Sequence, residues 1–137
     1  MTYYDAISAG YNELHFAEQK RKAALILKEL KPAKKDTLLD VGCGTGKITA
    51  LFPCKTTGID PAAELVKQSP MHALVGKAEA LPFADKSLDV VISLTAVHNF
   101  DDIEQGLMEI KRVAKKQVVL SILKKSNKFK KIDTLHQ

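Results

Sequence analysis

Short apolar runs alternate with longer amphipathic segments along this chain. Five of the runs are rich in Val, Ile and Leu and lack the strict alternation of a half-exposed strand, which is typical of strands covered on both faces. They are "TLLDV" (37–41), "KTTGI" (55–59), "HALV" (72–75), "LDVVISL" (88–94) and "QVVLSI" (117–122). The pattern predicts that these segments form a parallel sheet.

Two segments repeat their apolar residues at helical spacing, "FAEQKRKAALILKEL" (16–30) and "DDIEQGLMEIKRVAKK" (101–116). The stripes are formed by Phe16, Ala23, Leu27 and Leu30 in the first segment and by Ile103, Leu107, Ile110 and Ala114 in the second. We expect Asp101 or Asp102 to cap the start of the second helix, and Lys115 and Lys116 to lie at its end. Alternating strands and helices predict the α/β class: a doubly wound, mainly parallel Rossmann-like sheet of about five strands flanked by helices.

Length and composition favour a single domain. A chain of 137 residues with 45% hydrophobic residues can bury one core of ordinary size. No apolar stretch approaches the roughly 20 residues of a membrane span, and the start "MTYYDAISAG" lacks the features of a signal peptide, so we expect a cytoplasmic protein without a membrane partner. Cys43 and Cys54 are too few for a disulfide framework and lack the spacing of a zinc site, so we expect reduced cysteines and no metal.

The positive charge is concentrated at the carboxyl end. Of the net charge of +5, the last 14 residues carry five lysines and one aspartate, which leaves 16 basic against 15 acidic residues before them. We therefore expect a nearly neutral folded domain over residues 1–123 and a basic tail over residues 124–137.

The stretch "LLDVGCGTGKIT" (38–49) follows the first predicted strand, where the ligand crevice of a doubly wound sheet lies. A dinucleotide fingerprint, GxGxxG, that starts at Gly42 would need glycine where Lys47 stands. A phosphate-binding GxxxxGK[ST] loop would need glycine at Val41 and a hydroxyl at Ile48. The sequence therefore excludes both of these phosphate motifs.

What remains is a [DE]-x-G-x-G-x-G pattern, formed by Asp40, Gly42, Gly44 and Gly46. It resembles the first motif of the class I S-adenosylmethionine-dependent methyltransferases. Three further pieces resemble the same family in the same order: "TTGIDPAAELV", "GKAEALPFADKSLDVVIS" and "AVHNFDDIEQGLMEIKRVAKK". The resemblance covers residues 3–123 and implies S-adenosyl-L-methionine as the cofactor and S-adenosyl-L-homocysteine as the product.

The resemblance also implies roles for the acidic residues. The glycines would let the cofactor lie against bare backbone amides. Asp40 would accept a hydrogen bond from the ammonium end of the cofactor, directly or through water. Asp60 would accept both ribose hydroxyls; the alternative is a turn or cap residue before Pro61. We expect Asp60→Ala to weaken cofactor binding while leaving the stability of the empty protein nearly unchanged.

Adenine recognition would involve the backbone at Ala78. Many relatives carry aspartate where this chain has Lys77. Glu79 would either replace that acceptor or be a solvated loop acid, and both interpretations stay open. Leu81 and Phe83 are expected to pack the loop and not to touch the base.

Other candidates follow from the resemblance alone. Leu94 and Thr95 would line the methionine and sulfonium end. His98 is a weak candidate for a general base, and a role in shaping the pocket or capping the next helix is favoured over it. Residues 1–15 resemble a lid, in which Tyr11 would hydrogen-bond the methionine carboxylate and His15 would face the substrate; packing of the lid explains the tyrosines equally well.

The methyl acceptor is left open between a small molecule and tRNA. The fourth predicted strand is not followed by the [ND]-P-P-[YF] tetrapeptide with which relatives grip a planar amino or amide nitrogen. "AVHNF" and "YNELH" look most like members that act on tRNA wobble uridines or on small molecules, and a lysine-rich tail either contacts RNA phosphates or is a solvated terminus. We expect methyl transfer by direct displacement; the alternative is a cofactor-binding module or a truncated domain that is inactive alone and acts with a partner chain.

The carboxyl end departs from the family. Relatives continue past the fifth strand into a helix and an antiparallel pair of strands, and residues 124–137 are too short for that pair. The sequence therefore predicts an open sheet edge beside the fifth strand, where a second copy or another chain would pair.

Overall fold

The computed structural model describes residues 32–94, 96–123 and 129–136. It also describes nine positions of the amino-terminal segment, residues 17, 18, 20, 21, 24, 25, 27, 28 and 30. The chain divides into two compact units, residues 1–31 and 32–137. All nine described positions of the first unit are helical, as predicted for residues 16–30.

A six-stranded sheet forms the second unit, with strand order β3-β2-β1-β4-β5-β6. Its strands are β1 (Thr37–Val41), β2 (Lys55–Asp60), β3 (His72–Val75), β4 (Leu88–Leu94), β5 (Ala114–Leu123) and β6 (Phe129–His136). The first five strands run parallel to their neighbours, as predicted. The chain winds outward through β2 and β3 and then returns to the other side of β1 as β4, so the strand order reverses between β1 and β4.

The sixth strand corrects the prediction for the carboxyl end. β6 pairs antiparallel with β5 over most of its length, from Gln117 opposite His136 to Leu123 opposite Phe129. The expected open edge beside β5 is therefore covered, and part of the segment predicted to be a basic tail belongs to the sheet. The prediction failed because strand pairing here is made by backbone hydrogen bonds, which a lysine-rich segment forms as well as an apolar one.

The connections beyond the sheet are short. Helix α1 (Ala63–Val66) and two 3₁₀ turns, Thr49–Leu51 and Val97–Asn99, each contain four residues or fewer. Helix α2 (Ile103–Val113) is longer and begins as predicted, because the Asp102 side chain accepts a hydrogen bond from the amide of Gln105 at 3.1 Å. It ends three residues earlier than expected, so Lys116 lies in β5, where its ammonium pairs with Asp36 at 3.0 Å.

The core lies between α2 and the centre of the sheet. Leu39, Val91, Ile110, Val113 and Val118 are almost completely buried in one cluster. The second predicted helical stripe is partly wrong, because Ile103 is 45% exposed. Among the described residues, no helix combines the length and the hydropathy that a membrane span requires.

Arg112, on α2, fastens the loop between β3 and β4. Its guanidinium donates to the carbonyl oxygens of Leu81 at 3.0 Å and Phe83 at 2.9 Å, and it pairs with Asp85 at 2.8 Å and with Glu109 at 2.7 Å. Five donors in a planar fork can satisfy several acceptors at once. The loop is therefore positioned by a side chain from the helix beneath it.

We expect Arg112→Lys to destabilise the protein by about 1–3 kcal/mol, because an ammonium cannot reach both carbonyls and both acids together. Urea unfolding measures the change. Lys111→Gln is the control. Lys111 is exposed on the same helix and makes no hydrogen bond or ion pair with the described residues, so its substitution should change the free energy of unfolding by no more than about 0.5 kcal/mol. Equal effects of the two substitutions would contradict the role of Arg112.

Candidate functional site

The candidate site lies at the carboxyl ends of β1 and β4, where the strand order reverses. Asp40 is the penultimate residue of β1, and the glycine turn follows directly. Ser93, near the end of β4, donates its hydroxyl hydrogen to the carbonyl of Val41 at 2.8 Å, with both groups buried. This bond joins the two strand ends that border the crevice.

The glycine turn has a backbone that other residues adopt poorly. Gly42, Gly44 and Gly46 have φ angles of 78°, 58° and 68°, all in the left-handed region. A Cβ atom at Gly42 would also lie 2.5 Å from the Cβ of Ala96, and one at Gly46 would lie 2.7 Å from the Cε of Met71. The backbone conformation therefore requires glycine at all three positions, and packing requires it at Gly42 and Gly46. That the turn lies against a ligand stays a prediction.

The end of β2 holds this turn in place. The carbonyl oxygen of Ile59 accepts from the amides of Gly42 at 2.8 Å and Cys43 at 3.2 Å. The half-buried Asp60 carboxylate accepts from the amide of Gly44 at 2.9 Å through Oδ2 and from the amide of Ala62 at 2.8 Å through Oδ1. A carboxylate has about four acceptor positions, so about two remain for a ligand.

These contacts change the expected effect of Asp60→Ala. The substitution would remove the acceptor of two backbone amides, and an unsatisfied donor that is shielded from water costs about 1–3 kcal/mol. The stability of the empty protein should therefore fall, contrary to the expectation from the sequence. The turn role of Asp60 is confirmed by these hydrogen bonds, and the ligand role stays a prediction that is compatible with them.

Asp40 is a buried carboxylate, with 4% of its surface exposed. Its Oδ2 atom accepts a hydrogen bond from the hydroxyl of Thr49 at 2.5 Å. Burial raises the pKa of Asp40 to about 6; the Thr49 hydrogen bond opposes this rise and the nearby charge of Asp60 adds to it. No described residue donates a hydrogen bond to the other oxygen, Oδ1, so one acceptor of a buried acid is left for a ligand.

Thr49 is a residue of the site that the motif comparison missed. It is 3% exposed and lies nine positions after Asp40, at the start of a short 3₁₀ turn. The available signal was a hydroxyl residue within the otherwise apolar stretch "ITALF". Its place opposite Asp40 depends on how the chain turns after Gly46, which the motif does not specify.

The two cysteines are free thiols, as expected. Burial and the charges of Asp40 and Asp60 raise the pKa of the Cys43 thiol to about 12. Cys43 therefore stays protonated near neutral pH and fills space beside Gly58 beneath the turn. This supports a packing role.

The loop after β3 lies on the adenine side of the predicted site. Ala78 is buried, and Leu81 and Phe83 pack in or against the core, as expected for loop packing. The carboxylate of Glu79 accepts from the amide of Asp102 at 2.8 Å, which ties the loop to the start of α2. Glu79 thus has a structural partner here, in place of free solvation.

Lys77 pairs with Asp101 at 2.8 Å on the surface of the same loop. The hydrogen bond and the charge of Asp101 raise the pKa of Lys77, and the same pair lowers the pKa of Asp101. Both side chains are largely exposed, so this pair contributes little stability.

Several predicted site residues cannot be placed. Tyr11, His15 and Thr95 lie outside the described residues, as does the side chain of His98. Leu94 is half-exposed at the end of β4, on the crevice side of the sheet. Within the described ranges, no group of three or more His, Cys, Asp or Glu residues is arranged to hold a metal ion.

Comparisons with known proteins show the family and the fold of this chain. A family model described as a methyltransferase domain matches residues 39–122. A demethylmenaquinone methyltransferase of Chlorobaculum tepidum is 36% identical over 97 residues, which cover 64% of this chain and 40% of the relative. A probable tRNA methyltransferase 9B of Homo sapiens is 31% identical over 121 residues, which cover 80% of this chain and 26% of the relative. The chain thus spans less than half the length of the curated relatives named here.

A solved structure shares the fold. The putative methyltransferase from an antibiotic biosynthesis pathway of Anabaena variabilis superposes with a TM-score of 0.70 and 28% identity, over 75% of this chain and 45% of that one. This similarity supports a Rossmann-like fold for the parallel part of the sheet, strands β1 to β5.

We expect Asp40→Asn to stabilise the empty protein at neutral pH. The folded pKa of Asp40, about 6, lies above its ordinary value of 3.8. Between these two pKa values the native protein therefore binds more protons than the unfolded protein. The free energy of unfolding of wild type thus falls as pH rises from the lower pKa value through the higher one, by about 3 kcal/mol at most. The amide variant avoids this loss.

Urea unfolding from pH 4 to pH 8 tests this prediction. The stability of Asp40→Asn relative to wild type should increase with pH by about 1–3 kcal/mol and level off above pH 7. Glu104→Gln, at an exposed acid on α2, controls for the loss of a carboxylate in general. A relative stability of Asp40→Asn that does not vary with pH would contradict the raised pKa.

Proposed function

The chain belongs to the methyltransferase-domain family, and we propose that it binds S-adenosylmethionine beyond β1 and β4 and catalyses transfer of the methyl group. The crevice is formed by β1, the glycine turn, the end of β2 and the end of β4. The proposal depends above all on one observation: the buried Asp40 carboxylate has an oxygen, Oδ1, to which no described residue donates.

The residues present fit this cofactor. Asp40 can accept a hydrogen bond from a primary ammonium, and its negative charge would compensate the positive charge of that group. The glycine turn carries no side chain at three positions, and a Cβ atom at Gly44 would lie no closer than 4.0 Å to Leu65 Cδ1, so a ligand can approach the backbone there.

In this proposal, Asp60 selects the sugar. Its carboxylate lies at the tip of β2, fixed by the amides of Gly44 and Ala62. The acceptor positions that remain can take two neighbouring hydroxyl donors, as a ribose presents. An anionic phosphate in that position would be repelled by both Asp40 and Asp60, so the electrostatics favour a nucleoside without phosphate groups.

When bound, the sulfonium supplies an electrophilic methyl carbon. The chain's contribution to the reaction is then to hold the cofactor in line with the acceptor and to exclude water, because alignment of the reacting atoms lowers the barrier without a charged catalyst. A general base is not required by this scheme. His98 and His15 stay candidates for that role from the sequence alone.

For the acceptor we propose a small molecule, with tRNA as the alternative. The named relatives divide between the two: one is a demethylmenaquinone methyltransferase and the other a probable tRNA methyltransferase. The lysines of residues 124–131 favour an anionic acceptor such as tRNA. Against this, the described part of the crevice is bordered by the acids Asp40 and Asp60, which disfavour a polyanion close to the cofactor.

A second candidate function is a cofactor-binding module that acts with a partner chain. It is favoured by Lys77, which stands where the family resemblance implies an acid that accepts from the adenine amino group. Calorimetric titration with S-adenosylhomocysteine, followed by methyl transfer from labelled S-adenosylmethionine to tRNA and to extracted metabolites, separates the two. Absence of binding at millimolar ligand would contradict both, whereas binding without transfer would favour the module.

We expect Asp60→Ala to weaken the binding of S-adenosylhomocysteine by at least about tenfold, because hydrogen bonds to a charged acceptor contribute about 1.5–3 kcal/mol each. Calorimetry at a temperature where the variant is folded measures the loss. Glu64→Gln, an exposed acid on α1 close to the same strand end, should bind within about twofold of wild type. An Asp60→Ala variant with wild-type affinity would remove Asp60 from the ligand site.

A further inference from the structure

We propose that Thr49 is a positioning residue for the cofactor: its hydroxyl donates to Oδ2 of Asp40 and so leaves Oδ1 to accept from the ammonium group of the ligand. The inference rests on the proposed function and adds to it a residue that the motif does not contain. Thr49 acts through Asp40 and is not proposed to touch the ligand.

The geometry of the Thr49–Asp40 pair supports this role. The Thr49 hydroxyl lies 2.5 Å from Asp40 Oδ2, and the two residues are 3% and 4% exposed. A hydrogen bond of this length from a hydroxyl to an ionised carboxylate is of the strong, charge-assisted kind. Water has little access to either side chain, so the Thr49 hydroxyl supplies the hydrogen bond that water would give to an exposed carboxylate. The same bond determines that Oδ2, and not Oδ1, is the occupied oxygen of Asp40.

The backbone explains why Thr49 is held so firmly. The 3₁₀ turn Thr49–Leu51 follows the glycine turn, and the amide of Ala50 donates to the carbonyl of Gly46 at 2.9 Å. The amide of Phe52, itself buried, donates to the carbonyl of Thr49 at 3.0 Å. The hydroxyl therefore approaches Asp40 from a backbone tied at both ends.

The titratable groups near Asp40 do not stabilise its ionised form. The negative charge of Asp60, at the end of β2, raises the pKa of Asp40, and Cys43 of the glycine turn is a neutral thiol near neutral pH. The hydrogen bond from Thr49 lowers the pKa of Asp40 and so favours the ionised form against burial and the charge of Asp60. Without the hydroxyl, Asp40 would take up a proton closer to neutral pH and would lose its attraction for a cation.

The test compares Thr49→Val, which keeps the shape and removes the hydroxyl, with Thr49→Ser, which keeps the hydroxyl. In the ligand-free protein, a carbon-detected NMR titration of the Asp40 carboxyl should show a midpoint about one unit higher in Thr49→Val than in wild type, and a nearly unchanged midpoint in Thr49→Ser. Thr49→Ala is a second variant without the hydroxyl, for use if Thr49→Val does not fold.

Calorimetry with S-adenosylhomocysteine from pH 6 to pH 8.5 gives the second readout. The affinity of Thr49→Val relative to wild type should be reduced several-fold at pH 6 and should recover as pH rises, and Thr49→Ser should follow wild type. Since the ligand is the same in each titration, its own ionisation cancels in the ratio. A purely structural role for Thr49 would instead lower the affinity by a factor that does not change with pH.

Two results would overturn the inference: an Asp40 midpoint that is the same in Thr49→Val and wild type, or a pH-independent affinity ratio. Failure of the proposed function is a different observation, because wild type itself would then not bind S-adenosylhomocysteine at any pH in the range.

Discussion

The buried negative charge of Asp40 is the constraint on which the site depends. The end of β1 places this carboxylate beneath the glycine turn, where burial and the nearby Asp60 both oppose its ionisation. A fold selected only for stability would carry an apolar or amide residue there. A carboxylate in this position is explained if a cation binds in the crevice, as we propose.

Three elements meet this constraint from different parts of the chain. The short turn after the glycines supplies the Thr49 hydroxyl, the end of β2 supplies the Ile59 carbonyl and the Asp60 carboxylate, and the end of β4 is joined to β1 through Ser93. Parallel winding brings these ends together at one edge of the sheet, because each strand is followed by a connection that returns to the opposite edge. The arrangement of the candidate site is thus a consequence of topology. The preference that we propose for a nucleoside cation over a phosphate would follow from the charges of Asp40 and Asp60.

The sequence predicted much of this fold because its strands are short apolar runs with clear limits. The segments 37–41, 72–75 and 88–94 have the boundaries that were predicted, and Asp102 caps α2 as one of two predicted candidates. β6 was missed because its segment carries lysines and no apolar alternation. An edge strand rich in charge is nevertheless common, since charge deters pairing with other chains.

Within the site, the sequence identified the residues of the motif and missed the residues that hold them. Asp40 and the glycines follow from a pattern of close spacing, whereas Thr49 and Arg112 act through contacts that depend on the full path of the chain. Asp60 illustrates the difference: its position was predicted, but its bonds to Gly44 and Ala62 and their contribution to stability were not.

The most direct test of the central claim is a two-dimensional amide NMR titration of the labelled protein with S-adenosylhomocysteine. Glycine amides resonate in a separate region of the spectrum, so the turn can be followed residue by residue. We expect saturable shifts of the amide resonances of Gly42, Gly44, Gly46 and Asp60. An unchanged spectrum at millimolar ligand, or shifts confined to residues away from the ends of β1, β2 and β4, would contradict it.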